Sequence, residues 1–214
     1  MIKELIYLPL DIPNPPNVSC FFDTVLQSDM ILDNYRTCSH IPIMSPTGEL
    51  TNIGKQVPEL ITWLYDHIIP WTAPTRIRIL VTDANKSNAP HIDCSPAKFK
   101  TLQHKFRYVF QGKRPSLYFL NNNKKEVIPD VDKPYIMDGS WPHEMINDCN
   151  ERKYTLVLGA PWEPTEDDVN YNEVLNRSFE MYKQYYMSSS TWQLPKNYKS
   201  LFEDKYINEL STLN

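Results

Sequence analysis

Apolar and polar residues alternate in short bursts between residues 76 and 160. In 76–82 (RIRILVT), Ile77, Ile79 and Val81 recur at every second position, the period of a strand with one buried face. Similar bursts follow at 105–111 (KFRYVFQ), 116–120 (SLYFL), 126–128, 135–137, 143–146 and 154–158 (YTLVL). Each is aromatic or β-branched and is bounded by Gly, Pro, Asn or Asp, residues that suit turns. Short strands with a turn signal about every ten residues predict an all-β sandwich or barrel. The stretch after Thr82 reads as an irregular loop, and 121–125 (NNNKK) as a hairpin turn.

The flanks carry a helical period instead. In 56–69 (QVPELITWLYDHII), Leu60, Ile61, Leu64, Tyr65 and Ile68 fall on one face; Pro58 suits a first turn and Pro70 a stop. In 167–187, Val169, Val174, Leu175, Phe179, Met181, Tyr182 and Tyr185 repeat that spacing, with Thr165 and Asp168 placed as a capping box. Residues 11–17 (DIPNPPN) form an extended turn, 188–191 a break, and 201–213 a last short helix. The expected organisation is one structural domain. Residues 1–75 form a mixed, partly helical segment packing on the core, 76–164 the β core, and 165–214 a C-terminal helical extension.

Composition narrows the chemistry. The chain of 214 residues has 5 glycines against 18 prolines, and neither G-x-G-x-x-G nor G-x-x-x-x-G-K-[ST] occurs, which excludes the usual dinucleotide and P-loop sites. A net charge of −4 argues against a nucleic-acid partner. Cysteines at 20, 38, 94 and 149 lack zinc or redox spacing and read as reduced thiols. No apolar run reaches the roughly 20 residues of a membrane span, and 1–10 lacks the pattern of an export signal, so a cytoplasmic location is expected.

His91, Ile92 and Asp93 make an H-x-D pair, and His143 opens a later strand. Residues i and i+2 of a strand share a face, so both side chains of the pair can reach one point. Two imidazoles and one carboxylate form the facial triad that holds non-haem Fe(II) and leaves positions open. Proline precedes each histidine, as Pro90 and Pro142.

These residues resemble the aspartyl/asparaginyl β-hydroxylase-like oxygenases. The run 135–147 (YIMDGSWPHEMIN) is similar to that family's distal ligand strand through Asp138, Ser140, Trp141, His143 and Glu144. The run 89–93 (APHID) resembles its proximal turn, 106–111 (FRYVFQ) the basic strand that follows, and 155–162 (TLVLGAPW) the closing strand. The likeness covers about residues 76–164. It implies a double-stranded β-helix, a cupin-like jelly roll, in agreement with the strand pattern. It implies Fe(II) on His91, Asp93 and His143, with 2-oxoglutarate as cosubstrate converted to succinate and CO2. The expected reaction is hydroxylation of an amino-acid side chain, either Asp, Asn or Pro in a peptide or a free amino acid. Alternatives are a metal cupin without 2-oxoglutarate chemistry and a non-catalytic jelly-roll binder.

The family places a cation for the remote 2-oxoglutarate carboxylate about ten residues after the distal histidine. Lys153, followed by Thr155 on the same face, and Arg152 both fit that spacing. Arg107 matches an arginine near the cosubstrate and substrate. Leu80 stands where the family often has a serine, and the gap from His91 to Arg107 is longer than in animal members. Thr82 and Tyr118 read as ordinary strand residues, His67 as a packing residue, and His40 and His104 as surface groups. Cys94 is assigned no catalytic role, and 98–107 (KFKTLQHKFR) reads as a solvated basic loop. The expected partner is a small-molecule or peptide substrate; the sequence does not give the oligomeric state.

Overall fold

A computed structural model describes residues 4–27, 33–35, 38–69, 76–112, 116–158 and 169–213. The chain opens with β1 (Leu5–Pro9), α1 (Ser19–Gln27), β2 (Asp33–Tyr35), β3 (Cys38–Met44) and α2 (Pro58–His67). Strands β4 (Ile77–Thr82), β5 (Lys86–His91), β6 (His104–Gln111) and β7 (Leu117–Asn121) follow. Next come β8 (Lys124–Val127), β9 (Tyr135–Asp138), β10 (His143–Asn147) and β11 (Lys153–Leu158). Helix α3 (Val169–Tyr182) leads to a short strand, β12 (Met187–Ser188).

Strand pairing identifies the architecture. β4 pairs with β11, β5 with β10, β6 with β9 and β7 with β8, all antiparallel. This is a long hairpin folded at β7–β8 and wound on itself, the jelly roll expected from the sequence. Its strands divide between a larger sheet, ordered β12-β1-β9-β6-β11-β4-β3-β2, and a smaller one, β5-β10-β7-β8. The hairpin between β7 and β8 turns on Asn122, whose φ of 57° suits asparagine in a two-residue turn.

Both faces of the larger sheet are buried. Ile41, Ile77, Ile79, Phe106, Tyr154 and Leu156 share a core with Phe22 of α1, Leu60 and Trp63 of α2, and Leu175 of α3. The opposite face meets the smaller sheet through Leu80, Val157 and Met145, and through Met137, Tyr135 and Phe119. Alternation along β11 therefore separates a helix-facing row (Tyr154, Leu156, Leu158) from an interior row (Lys153, Thr155, Val157).

The structure departs from the sequence reading at the edges. β5 occupies part of the expected loop, since its Lys86–His91 backbone is held by β10. Within the mixed N-terminal segment, β1, β2 and β3 join the larger sheet, strands that the sequence reading did not name. Tyr65 is exposed, and Trp63 takes the buried place on α2. The last segment has only single 3-10 turns at Tyr198–Leu201, Asp204–Tyr206 and Leu210–Thr212. Pro70, Trp162 and the Thr165–Asp168 capping pair lie outside the described residues.

At the barrel end near Lys153, buried Asn147 stitches three chain segments. Its Nδ2 donates to the carbonyls of Thr82, Asp83 and Glu151 at 3.0, 3.0 and 2.8 Å. Asn147→Ala leaves these acceptors without their donor and is expected to cost about 1–3 kcal/mol. Urea denaturation reads this loss, and an unchanged midpoint would refute the stitching role.

Candidate metal centre

His91 ends β5 and His143 begins the adjacent β10, so their Cα atoms are direct cross-strand partners. Their ring centroids lie 4.4 Å apart. Asp93 falls just beyond β5, where two backbone bonds hold its loop: Ile92 N–H to Leu201 O at 3.0 Å and Asp93 N–H to Gly139 O at 2.9 Å. His91 Nε2 is 3.3 Å from Asp93 Oδ1, and His143 Nε2 is 3.3 Å from Oδ2. Ligand atoms of the three residues all lie within 4.8 Å of one another.

The histidines are oriented for ligation. His91 Nδ1 lies 2.8 Å from Ala89 O, and His143 Nδ1 lies 2.8 Å from Trp141 O. A carbonyl can only accept, so each Nδ1 carries the proton and each Nε2 presents a lone pair. Burial, reinforced by His91, lowers the His143 pKa to about 4 against the pull of Asp93, keeping that ring neutral near pH 7. Burial would raise the Asp93 carboxyl, but Lys105, His91 and His143 outweigh it and hold it well below the ordinary range. Two lone pairs and an anion aimed at one point repel unless a cation lies between them. The donor set, two imidazoles and a carboxylate, fits a divalent transition metal such as Fe(II).

Three cations of the larger sheet face the same interior. Lys105 Nζ is 3.0 Å from Asp93 Oδ2, and Arg107 Nη2 is 3.5 Å from it. Arg78 stands opposite Val157 on β11, which stands opposite Arg107 on β6, so Arg78 and Arg107 flank Val157 in one row across the sheet. Arg78 Nη1 meets His40 Nδ1 at 2.9 Å. Gly139 gives Lys105 its space, since a Cβ there would lie 2.7 Å from Lys105 Cε.

The two cosubstrate candidates part at the first residue of β11. Lys153 is 0% exposed on the interior row, and a Cβ at Gly112 would approach its Cε to 2.9 Å. Thr155 follows on that row with its Oγ1 buried and, among the described residues, without a hydrogen-bond partner. Arg152 instead lies outside the barrel. Its side chain is 46% exposed, and its Nε donates to Asp83 Oδ1 at 3.1 Å. Thr82 is buried opposite Lys153, whereas Tyr118 pairs with Glu144 on the outer face of the smaller sheet.

Some groups read as surface residues are in fact buried. His40 sits against Arg78 with its pKa lowered to about 3, by burial and then by Arg78, Arg76 and Arg107. His104 is buried with Nδ1 2.5 Å from Tyr171 Oη, and burial lowers its pKa to about 4. Lys105 and Arg107, from the presumed solvated run, are inside the barrel. The missed signal was charge at the inward positions of closed-barrel strands, at Arg78 and Lys105. Cys94 is buried, and burial pushes its thiol up to about 12, which leaves it a poor nucleophile.

Asp138 supports this loop from behind. Its Oδ1 accepts from Ser140 N–H (2.8 Å), Ser140 Oγ (2.7 Å) and Gln103 N–H (3.2 Å). Burial nevertheless raises its pKa from 3.8 to about 6. A raised folded-state pKa contributes stability that is complete below about 3.8 and is lost as pH rises through about 6. Asp138→Asn is expected to remove this component. The stability difference, wild type minus variant, should then fall between pH 4 and 6, and a flat difference would contradict the assignment.

No protein-family model matches the sequence, and no curated protein is significantly similar to it. Solved structures resemble it at low identity. A 2OG-Fe(II) oxygenase family oxidoreductase from Burkholderia pseudomallei is 13% identical, covering 68% of this chain and 81% of its own (TM-score 0.40). A Pseudomonas putida prolyl-4-hydroxylase is 10% identical, covering 72% and 90% (TM-score 0.45). A structure of Rhodobacter sphaeroides SigE with the anti-sigma ChrR is 10% identical, covering 61% and 49% (TM-score 0.31). Such likeness concerns the fold, and no helix among the described residues is long and apolar enough to cross a membrane.

Proposed function

We propose that this chain is an Fe(II)- and 2-oxoglutarate-dependent oxygenase that hydroxylates an amino-acid side chain. The observation that carries the reading is Lys153, fully buried on the interior face that also looks toward His91, Asp93 and His143. A cosubstrate with a carboxylate at each end gives a lysine in that place a role that a bound metal by itself does not.

His91 Nε2, His143 Nε2 and an Asp93 oxygen would hold the ion. When bound, Fe(II) and 2-oxoglutarate supply oxygen activation, with succinate and CO2 released and one oxygen atom entering a C–H bond. The protein contributes placement. Ala89 O and Trp141 O fix the imidazoles, while Lys105 keeps hold of one Asp93 oxygen. Lys153 would bind the remote carboxylate, and Thr155 Oγ1 would donate a hydrogen bond to it. The apolar residues Leu80, Val157 and Met145 line the space between the sheets and exclude water from it.

Anaerobic titration of the metal-free protein with Fe(II), then 2-oxoglutarate, tests this directly. A visible metal-to-ligand charge-transfer band is expected. Iron binding without a band would reject the cosubstrate, and no iron binding would reject the metal centre.

A further inference from the structure

The two histidines of the triad sit on paired strands, and the carboxylate does not. Asp93 belongs to the connection 92–103 between β5 and β6, whose one regular feature is a 3-10 turn at Pro96–Lys98. Lys105 and Arg107 draw the carboxylate inward. The backbone beneath it rests on two hydrogen bonds, one to Gly139 O and one, through Ile92, to Leu201 O. A ligand on a loop is placed only as well as the loop is held.

The C-terminal segment supplies the second of those bonds and an apolar cover. Phe202 packs on Ile92 and Cys94. Phe99, further along the same connection, stacks on Tyr198 at 5.2 Å with planes 11° apart and meets Phe202 edge-on at 5.3 Å. The other end of the segment is fixed to the β7–β8 hairpin. There Asn122 N–H donates to Gln193 O at 2.5 Å, and Gln193 N–H donates to Asn121 Oδ1 at 3.1 Å. Trp192 packs on Phe119 with 6.5 Å between ring centroids, and Phe119 lies against His143. The segment itself has little to hold it. From 189 to 213 it forms only 3-10 turns, and Pro195 and Phe202 are its only buried residues. So few buried contacts mark a unit that opens locally before the strands beneath it do.

We propose that residues 189–213 are a strap whose docking through Phe202 places Asp93, so that the docked strap and a metal at the triad each favour the other. Phe202 is a positioning residue, acting through the Ile92–Asp93 turn. An ion that needs Asp93 in place favours the docked strap, and by linkage the docked strap raises affinity for the ion by the same factor. The proposal rests on the metal-centre reading above and concerns how that centre is held together.

The test compares the full-length protein with Phe202→Ala, Phe202→Leu and, as a control at the other end of the barrel, Asn147→Ala. Calorimetric titration with Zn(II), with His143→Ala as the blank, reads affinity. Trypsin reads the strap, which exposes Lys196, Lys199 and Lys205. Phe202→Ala should weaken Zn(II) binding by about 10- to 100-fold, as loss of a support behind a metal ligand does. Phe202→Leu, still apolar, should recover most of that affinity. Asn147→Ala should leave it unchanged despite its lower stability. Saturating Zn(II) should slow cleavage of the wild-type strap by a similar factor, because proteolysis follows the open population. That measurement needs no variant, so it reads the coupling even if Phe202→Ala does not fold. An unchanged affinity in Phe202→Ala would overturn the proposal, as would an equal loss in Asn147→Ala or strap cleavage indifferent to bound Zn(II). If the wild type binds no ion, the metal-centre reading fails by itself. Hydrogen exchange on metal-free protein then judges the positioning of the Asp93 turn. Faster exchange in Phe202→Ala confined to 92–99, with β10 unchanged, would uphold it, and faster exchange throughout, or none, would overturn it.

Discussion

His143→Ala is expected to leave the protein folded and unable to hold a metal. Loss of an outer partner to a metal ligand costs about 10- to 100-fold in affinity, and loss of the ligand itself costs more. His143 is also held in a fixed orientation. Trp141 O fixes its ring, Phe119 packs 5.9 Å from it, and its neutral state leaves Nε2 free of a proton near pH 7. Metal content after dialysis against Fe(II) or Co(II) is the measurement, with circular dichroism to show that the jelly roll survives. Stoichiometric metal in the variant would mean that the triad is not the binding site.

Lys153→Met should separate metal from cosubstrate. Iron content should be unchanged. Affinity for 2-oxoglutarate should fall by about 2–5 kcal/mol, at least about thirtyfold, as when one partner of a desolvated ion pair is truncated. Arg152→Ala should do little, because its guanidinium is engaged with Asp83 in solvent. The charge-transfer band titrated against 2-oxoglutarate compares the three proteins. A Lys153→Met protein that kept its affinity would remove the main support for a dicarboxylate cosubstrate.

That pair also shows where sequence reasoning stops. Spacing from His143 admits both Lys153 and Arg152, and only strand phase separates them. Phase is normally read from apolar-polar alternation, but β11 is buried on both faces and gives a nearly continuous apolar run. The jelly roll itself was legible because its turns are marked by Gly, Pro, Asn and Asp. β5 was not legible, since KSNAPH has no β-branched or aromatic residue and is a strand only because β10 lies beside it. His40 and His104 were misplaced for a related reason. A polar residue is buried when a partner distant in sequence satisfies it, and Arg78 and Tyr171 are invisible from either local context.

The hydrogen bond from Ile92 N–H to Leu201 O ties the loop between two metal ligands to a segment made long after it. Phe202 closes over Ile92 and Cys94 in the same small cluster, with Tyr198 and Leu201 against it. Contacts so distant in sequence form late, because the intervening chain must first be ordered. During synthesis the strands bearing His91 and His143 therefore emerge before the segment that holds Asp93's loop in place. A chain interrupted before Leu201 would keep the Asp93 N–H bond to Gly139 O and lose the tether at Ile92, leaving the loop between His91 and Asp93 held from one side.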